Sequence, residues 1–341
     1  SPLRQLDFGA GVPPLTPAAQ LGMVEDAIAD ADDDLPAFCC TARGRDLAIA
    51  ALQAPGSVGG ARLKEALIPE FVPMCRSEFG IHVLRTLLDK LSAAEVAAVV
   101  AAFAAAPENE TLNLATTSQH TRKLLEALLD HRDCDGVSTL ETTLVKNTAY
   151  LVVLQQGCIA LMHLAKVSAT RRSQIVQTVK PMAPAVARDP YGNYVMQTLV
   201  EHADEADVVE LVKGCKGAIG ALATNKFASN VLERVVKGPL QSARRLVVAE
   251  LIFHADATLK AAVHDRFGNF VVQAAFATAV SVAEHRRMCD RVRPVLAGSP
   301  YAARIEQRMK QKRPATVSAG NSPTAAAPVA PPAGATAKQH A

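Results

Sequence analysis

Apolar residues return every three or four positions over much of the chain, the period of an amphipathic helix. The pattern is clear from Asp207 to Cys215, from Leu240 to Phe253 and from His285 to Leu296. The same spacing gathers Val195, Met196, Leu199 and Val200 on one side of a further helix and predicts that they fill a core. Aromatic residues make up only 4% of the chain and tryptophan is absent, whereas Ala and Leu abound. Helices are therefore predicted rather than sheets.

A longer period lies over the helical one. The segments Asp189–Gln197, Asn225–Glu233 and Asp265–Gln273 share one frame: a polar residue, a spacer, an aromatic, a small residue, a polar pair, two apolar residues and a Gln or Glu. Equivalent positions Asn193, Ser229 and Asn269 recur at the 20–50-residue spacing of helical repeat arrays. Looser copies run upstream at Ser77–Arg85, Ser118–Glu126, Asn147–Gln155 and Thr41–Ile49. This gives about seven repeats of two or three short helices each. The opening polar residue of each frame, such as Asp189 or Asp265, is placed to cap its helix.

On a helix, residues four apart lie side by side. Asn193 with Gln197, Ser229 with Glu233 and Asn269 with Gln273 are such pairs. Tyr194, Asn230 and Phe270 project beside them, about 100° around the axis. Each repeat thus offers two hydrogen-bonding groups and a planar side chain, and stacked repeats offer a ladder of them. Tyr191, Phe227 and Phe267, earlier in the frame, are expected in the core.

Charge gives this ladder a setting. The net charge is only +3, but residues 1–179 carry −5 and residues 180–312 carry +6, so positive charge gathers where the three clear frames lie. The seven cysteines are odd in number and form no C-x-x-C pair, which argues against a disulfide framework or a zinc site and for buried thiols in a reducing compartment. No metal or cofactor is expected. The acidic run Asp30, Asp32, Asp33 and Asp34 lacks the rest of a calcium-loop pattern and reads as a solvated loop or helix end. Gly214–Gly220 reads as a turn, not a phosphate loop. No apolar run is long enough for a transmembrane helix, no signal peptide is evident, and no hydrolase, metalloprotease or nucleotide-binding motif is present, so an enzyme is not expected. Residues 313–341, rich in Ala and Pro, are expected to be disordered, and residues 1–35 to form an N-terminal segment or a degenerate capping repeat.

The series Asn-Tyr-x-x-Gln, Ser-Asn-x-x-Glu, Asn-Phe-x-x-Gln resembles the last three repeats of the Pumilio (PUF) family of RNA-binding proteins. The stretch from Arg293 to Arg308 resembles the C-terminal cap that follows them. The resemblance extends over residues 36–312 and is strongest over 185–310. It implies an all-α, crescent-shaped solenoid that takes single-stranded RNA one base per repeat, running antiparallel to the chain. It implies uracil at Asn193/Gln197 and at Asn269/Gln273, guanine at Ser229/Glu233, and bases stacked on Tyr194 and Phe270, hence a 5′-UGU core. The role implied is cytoplasmic control of mRNA stability or translation by a monomer that recruits repression or decay proteins.

Upstream the frame departs from the family pattern. Leu151/Gln155 lacks a polar first member, and Val152 is a poor stacker. His82 can stack, but Ile81 and Arg85 form no edge-reading pair. Arg122, Lys123 and Glu126, like Arg45, Asp46 and Ile49, match no usual combination. Weaker contacts are expected from His82, Arg85, Arg122, Lys123, Glu126 and Gln155, to phosphate or to any base. The alternatives are a nucleolar relative acting in ribosomal RNA processing and a protein-binding scaffold.

Overall fold

The computed structural model describes residues 16–31 and 34–311. The tail expected from residue 313, Asp32 and Asp33 lie outside the described residues. Asp34 caps the helix Leu35–Cys39, its carboxylate accepting from Ala37 N at 2.9 Å. Among the described residues every regular element is helical.

Seven helices carry the repeated motif: α1 (Ala42–Gln53), α2 (Gly80–Leu88), α3 (Gln119–Asp130), α4 (Gln155–Val167), α5 (Gly192–His202), α6 (Ala228–Lys237) and α7 (Gly268–Ala277). Each follows a short helix and is followed by a third. For α5 these are Ala183–Arg188 and Glu205–Gly214, and for α6 they are Ile219–Ala223 and Gln241–Val248. The chain divides into two compact units between Lys146 and Asn147. α1 to α3 belong to the first unit and α4 to α7 to the second.

In the second unit α4, α5, α6 and α7 pack side by side, and Ala302–Lys310 closes the row against α7. The third helices, Ala169–Val179, Glu205–Gly214 and Gln241–Val248, form a parallel row. The residues between the rows are the predicted core: Val195 and Leu199 are fully buried, Met196 and Val200 nearly so. The cap is anchored by Ser299 Oγ, which donates to Val263 O at 2.8 Å, and by fully buried Ile305. In the first unit α1 packs on α2 and α2 on α3, and the helix Pro17–Asp30 lies against α1 and Val58–Leu67.

Polar links join successive repeats at one repeat spacing. In the second unit Lys180 pairs with Glu210, and Glu250 accepts from Gly217 N and Ile219 N, each at 2.9 Å. Gly217, in the predicted turn, has φ +82°, a conformation glycine adopts without strain. Arg244 is fully buried and binds Glu284 (2.7 Å), Thr278 Oγ1 (3.0 Å) and Ala275 O (3.2 Å). A buried cation is tolerated because each of its three nitrogens donates a hydrogen bond, one of them to a carboxylate.

The register of each motif helix is set at its first turn. Asp189, Asn225 and Asp265 accept from the backbone N–H of Gly192 (2.7 Å), Ala228 (3.0 Å) and Gly268 (2.8 Å). Thr41 and Ser77 do the same for Gly44 and Gly80, both at 3.0 Å, and Ser118 for Thr121 at 3.2 Å. Such caps contribute about 1 kcal/mol each. The residue at the capped N–H sits against the carbonyl six positions earlier. A Cβ at Gly192 would lie 2.8 Å from Val186 O, and one at Gly268 2.7 Å from Ala262 O.

The same geometry corrects the fourth frame. Gly157 makes this approach, to Leu151 O, and Cys158 N donates to Leu154 O at 2.8 Å as Asn193 N does to Asp189 O. The frame of α4 is therefore Leu154–Met162, seven residues later than Asn147–Gln155. Leu151 is a fully buried residue of the preceding short helix Thr148–Leu151, and Gln155 is the first residue of α4. Gln155, expected to close its frame and make a weaker contact, stands instead one position after the opening residue of the true frame. Cys158, Ile159 and Met162 occupy the three motif positions. All seven cysteines are free thiols, five buried and Cys40 and Cys134 half-buried.

Gly268→Ala is expected to destabilise the fold by about 1–3 kcal/mol, because its Cβ would press on backbone that cannot move aside. Gly22→Ala, with nothing within 4 Å, should instead be neutral or stabilising by up to about 1 kcal/mol. Urea-unfolding midpoints of the two variants check this.

Candidate nucleic-acid interface

The three strong motif pairs do not present two equivalent groups. Asn193 is buried, at 2% exposure. Its Nδ2 donates to Asp189 O (2.9 Å) and Pro190 O (3.0 Å), and its Oδ1 accepts from Gln197 Nε2 (3.0 Å). Asn269 repeats this, with Nδ2 donating to Asp265 O (2.9 Å) and Oδ1 accepting from Gln273 Nε2 (2.8 Å). The asparagine ties down the turn before the helix and aims the glutamine. The half-buried glutamine keeps its Oε1 acceptor and a second N–H for a ligand. Asn193 keeps a lone pair on Oδ1.

In α6 Ser229 is buried and makes a long contact of 3.5 Å to Lys226 O. Glu233 pairs with Lys237 one turn on. A carboxylate has acceptors only, so this repeat suits a ligand edge with two adjacent donors, whereas α5 and α7 suit a mixed edge. Beside the pairs, Phe270 is 46% exposed, Asn230 is exposed and donates to Lys226 O at 3.2 Å, and Tyr194 is half-buried. An exposed phenylalanine on this face has a ring free to stack.

Tyr191, Phe227 and Phe267, expected in the core, are half-buried. They stand just before the first helical residue, so their rings lie at the helix end. Lys226 Nζ lies 5.2 Å from the Phe227 ring and Arg266 Cζ 4.7 Å from that of Phe267. These two cations beside the motif were missed in the sequence, although each immediately precedes its aromatic residue.

The motif face of the first unit is of another kind. Arg122 is buried and pairs with Glu126, so each of these two motif groups engages the other. His82 and His120 lie ring against ring, with centroids 4.3 Å apart and planes tilted by 56°. Burial lowers the pKa of both. His120, Arg45 and Arg85 lower that of His82 further, and Arg85 and Lys123 that of His120. Lys123 is exposed and Arg85 half-buried. The face is thus cationic around an imidazole pair, without the amide pairs of α5 and α7.

The Pumilio-family RNA binding repeat matches residues 184–213 and 219–252, which contain α5 and α6. A Pumilio domain-containing protein of Schizosaccharomyces pombe is 21% identical over 257 residues, 74% of this chain and 37% of that protein. Pumilio homolog 8 of Arabidopsis thaliana is 30% identical over 159 residues, 45% of this chain and 30% of that protein. The chain carries Pumilio (PUF) repeats. It spans well under half the length of these relatives. Among solved structures, the Puf4 RNA-binding domain bound to the HO endonuclease RNA 3′ UTR recognition sequence aligns with TM-score 0.69 and 18% identity, over 85% of this chain and 95% of that one. PUF-8 in complex with PBE-RNA aligns with TM-score 0.67 and 17% identity, over 85% and 89%. These likenesses show the Pumilio α-solenoid fold. Seven Pumilio-type three-helix repeats and a closing helix are present among the described residues. No helix among them is long and apolar enough to cross a membrane, and no group of three or more His, Cys, Asp or Glu is placed to hold a metal.

A histidine whose folded pKa lies below its ordinary value of 6.5 takes up its proton more readily in the unfolded chain. Its contribution to stability is therefore present above pH 6.5 and lost as pH falls below it. The melting temperature is expected to fall between about pH 7 and pH 5, and His120→Phe should shallow that slope. Thermal melts of both proteins across this range check it.

Proposed function

We propose that this chain is a single-stranded RNA-binding protein that reads a 5′-UGU core on α7, α6 and α5, in that order. The observation that carries the reading is the hydrogen-bonded amide pair built identically in α5 and α7. Between them α6 substitutes a carboxylate, and Phe270 lies exposed on the same face. Uracil presents N3–H between two carbonyls, and the free Oε1 and N–H of an aimed glutamine complement it. Guanine N1–H and N2–H both donate, and Glu233 accepts, exchanging part of its contact with Lys237. Tyr194 and Phe270 supply stacking surfaces, each contributing about 1–3 kcal/mol per base. The RNA named in the Puf4 and PUF-8 complexes supports RNA as the ligand. The biological role that fits is cytoplasmic control of mRNA stability or translation through 3′ untranslated regions, with repression or decay proteins as partners of a monomer.

The test is binding of a short UGU RNA against its UUU variant, by fluorescence anisotropy at fixed salt. The native protein should prefer UGU by about tenfold or more, the discrimination typical of one bidentate base contact. Ser229→Asn with Glu233→Gln, which copies the α5 pair into α6, should reverse that preference. Equal affinity of both proteins for both RNAs would sink the reading. Affinity should also weaken as salt rises, in proportion to the phosphates contacted.

A further inference from the structure

The corrected frame of α4 exposes a fourth position on the motif face that differs in kind from the three beyond it. Cys158 stands where α5 has Asn193, and it is fully buried. Its Sγ donates to Gln155 O at 3.2 Å, the counterpart of the bond from Asn193 Nδ2 to Pro190 O. The thiol therefore keeps the anchoring half of the asparagine's task. It has no carbonyl oxygen with which to aim a partner. The partner position holds Met162, 8% exposed, whose thioether donates nothing and accepts weakly. Half-buried Ile159 takes the place of Tyr194. Helix α4 packs directly on α5, so this position continues the row.

We propose that α4 forms a nucleotide subsite that accepts any base, directly 3′ of the UGU core, and reads none of its edge. This rests on the reading above. A base pressed edge-on against Cys158 and Met162 would leave its donors and acceptors without partners, an unfavourable exchange for their hydration. The base edge therefore stays in water, and only its face meets apolar side chains, Ile159 of α4 and the Tyr194 ring of α5. All four bases have such a face, so the subsite is tolerant.

The experiment uses the full chain and five RNAs that differ only in the nucleotide after UGU: A, C, G, U or an abasic residue. The native protein is expected to bind the four bases within about threefold of one another. The abasic RNA should weaken binding far less than an abasic residue within UGU does. Cys158→Asn with Met162→Gln, which copies the α5 pair onto the same backbone frame, should create a preference for U of about tenfold at the fourth position. The reciprocal Asn193→Cys with Gln197→Met should erase the U preference at the third position and leave G discrimination at the second. It guards against the first variant failing to fold. Strong selection among the four bases by the native protein would overturn the proposal. So would a grafted variant that melts like the native protein and separates UGU from UUU yet gains no preference for U. Failure of the native protein to separate UGU from UUU would overturn the parent reading, and this one with it.

Discussion

The structure depends on how closely the first turn of each motif helix can approach the carbonyl of the short helix before it. Where a glycine stands at that point, the two backbones touch. At Gly192 and Gly268 the side chain of an aspartate three residues earlier binds the same peptide N–H. The helix start is thereby fixed both along its axis and around it. One residue further on, the motif side chain is committed to the buried side of the turn. Everything on the face follows from this: the asparagine is held by the turn's carbonyls, the glutamine by the asparagine, and the planar residue is left beside them.

The consequence is a division of labour within each amide pair. The asparagine is buried and bonded through both ends of its amide, and it pre-orients the glutamine. Freezing a glutamine in advance lowers the entropy lost when it meets a ligand. α6 departs from this pattern, with a serine that barely bonds and a glutamate held by Lys237. Its carboxylate is positioned by charge and not by an amide clamp. In the first unit the clamp is replaced by an ion pair at Arg122 and Glu126 and by cations around two adjoining, tilted imidazoles. The two units thus carry the same helices with different surface chemistry, in line with the opposite charges of the two halves of the chain.

Much of the fold was legible because helical period and repeat period are local patterns. The capping residues, the apolar positions Val195 to Val200 and the frames of α1, α2, α3, α5, α6 and α7 could all be placed from spacing. The fourth frame could not. Asn147–Gln155 mimics the motif in polarity, whereas the true frame opens with Leu154, which has no capping side chain. The available signal was Gly157 and the even spacing it restores between Arg122, Cys158 and Asn193. The half-exposed Tyr191, Phe227 and Phe267 were misread for a related reason. Hydrophobicity predicts burial, but a residue just ahead of the first helical turn lies at the edge of the core.

By itself, the sequence determined the class of protein, the number of repeats, which helices carry polar pairs and the residue types available to meet a ligand. These follow from periodicity and side-chain chemistry, which neighbouring residues suffice to define. The tertiary structure alone decided which member of each pair is anchored and which is presented, that Arg122 and Glu126 satisfy each other, and that Met162 rather than Gln155 takes the last motif position of α4. Those outcomes depend on contacts three or four residues apart, whose geometry is set by how the turn before each helix folds and which side of the helix is buried. A turn's carbonyl can claim an amide, and a glycine can admit a neighbouring backbone, only once the helices have packed.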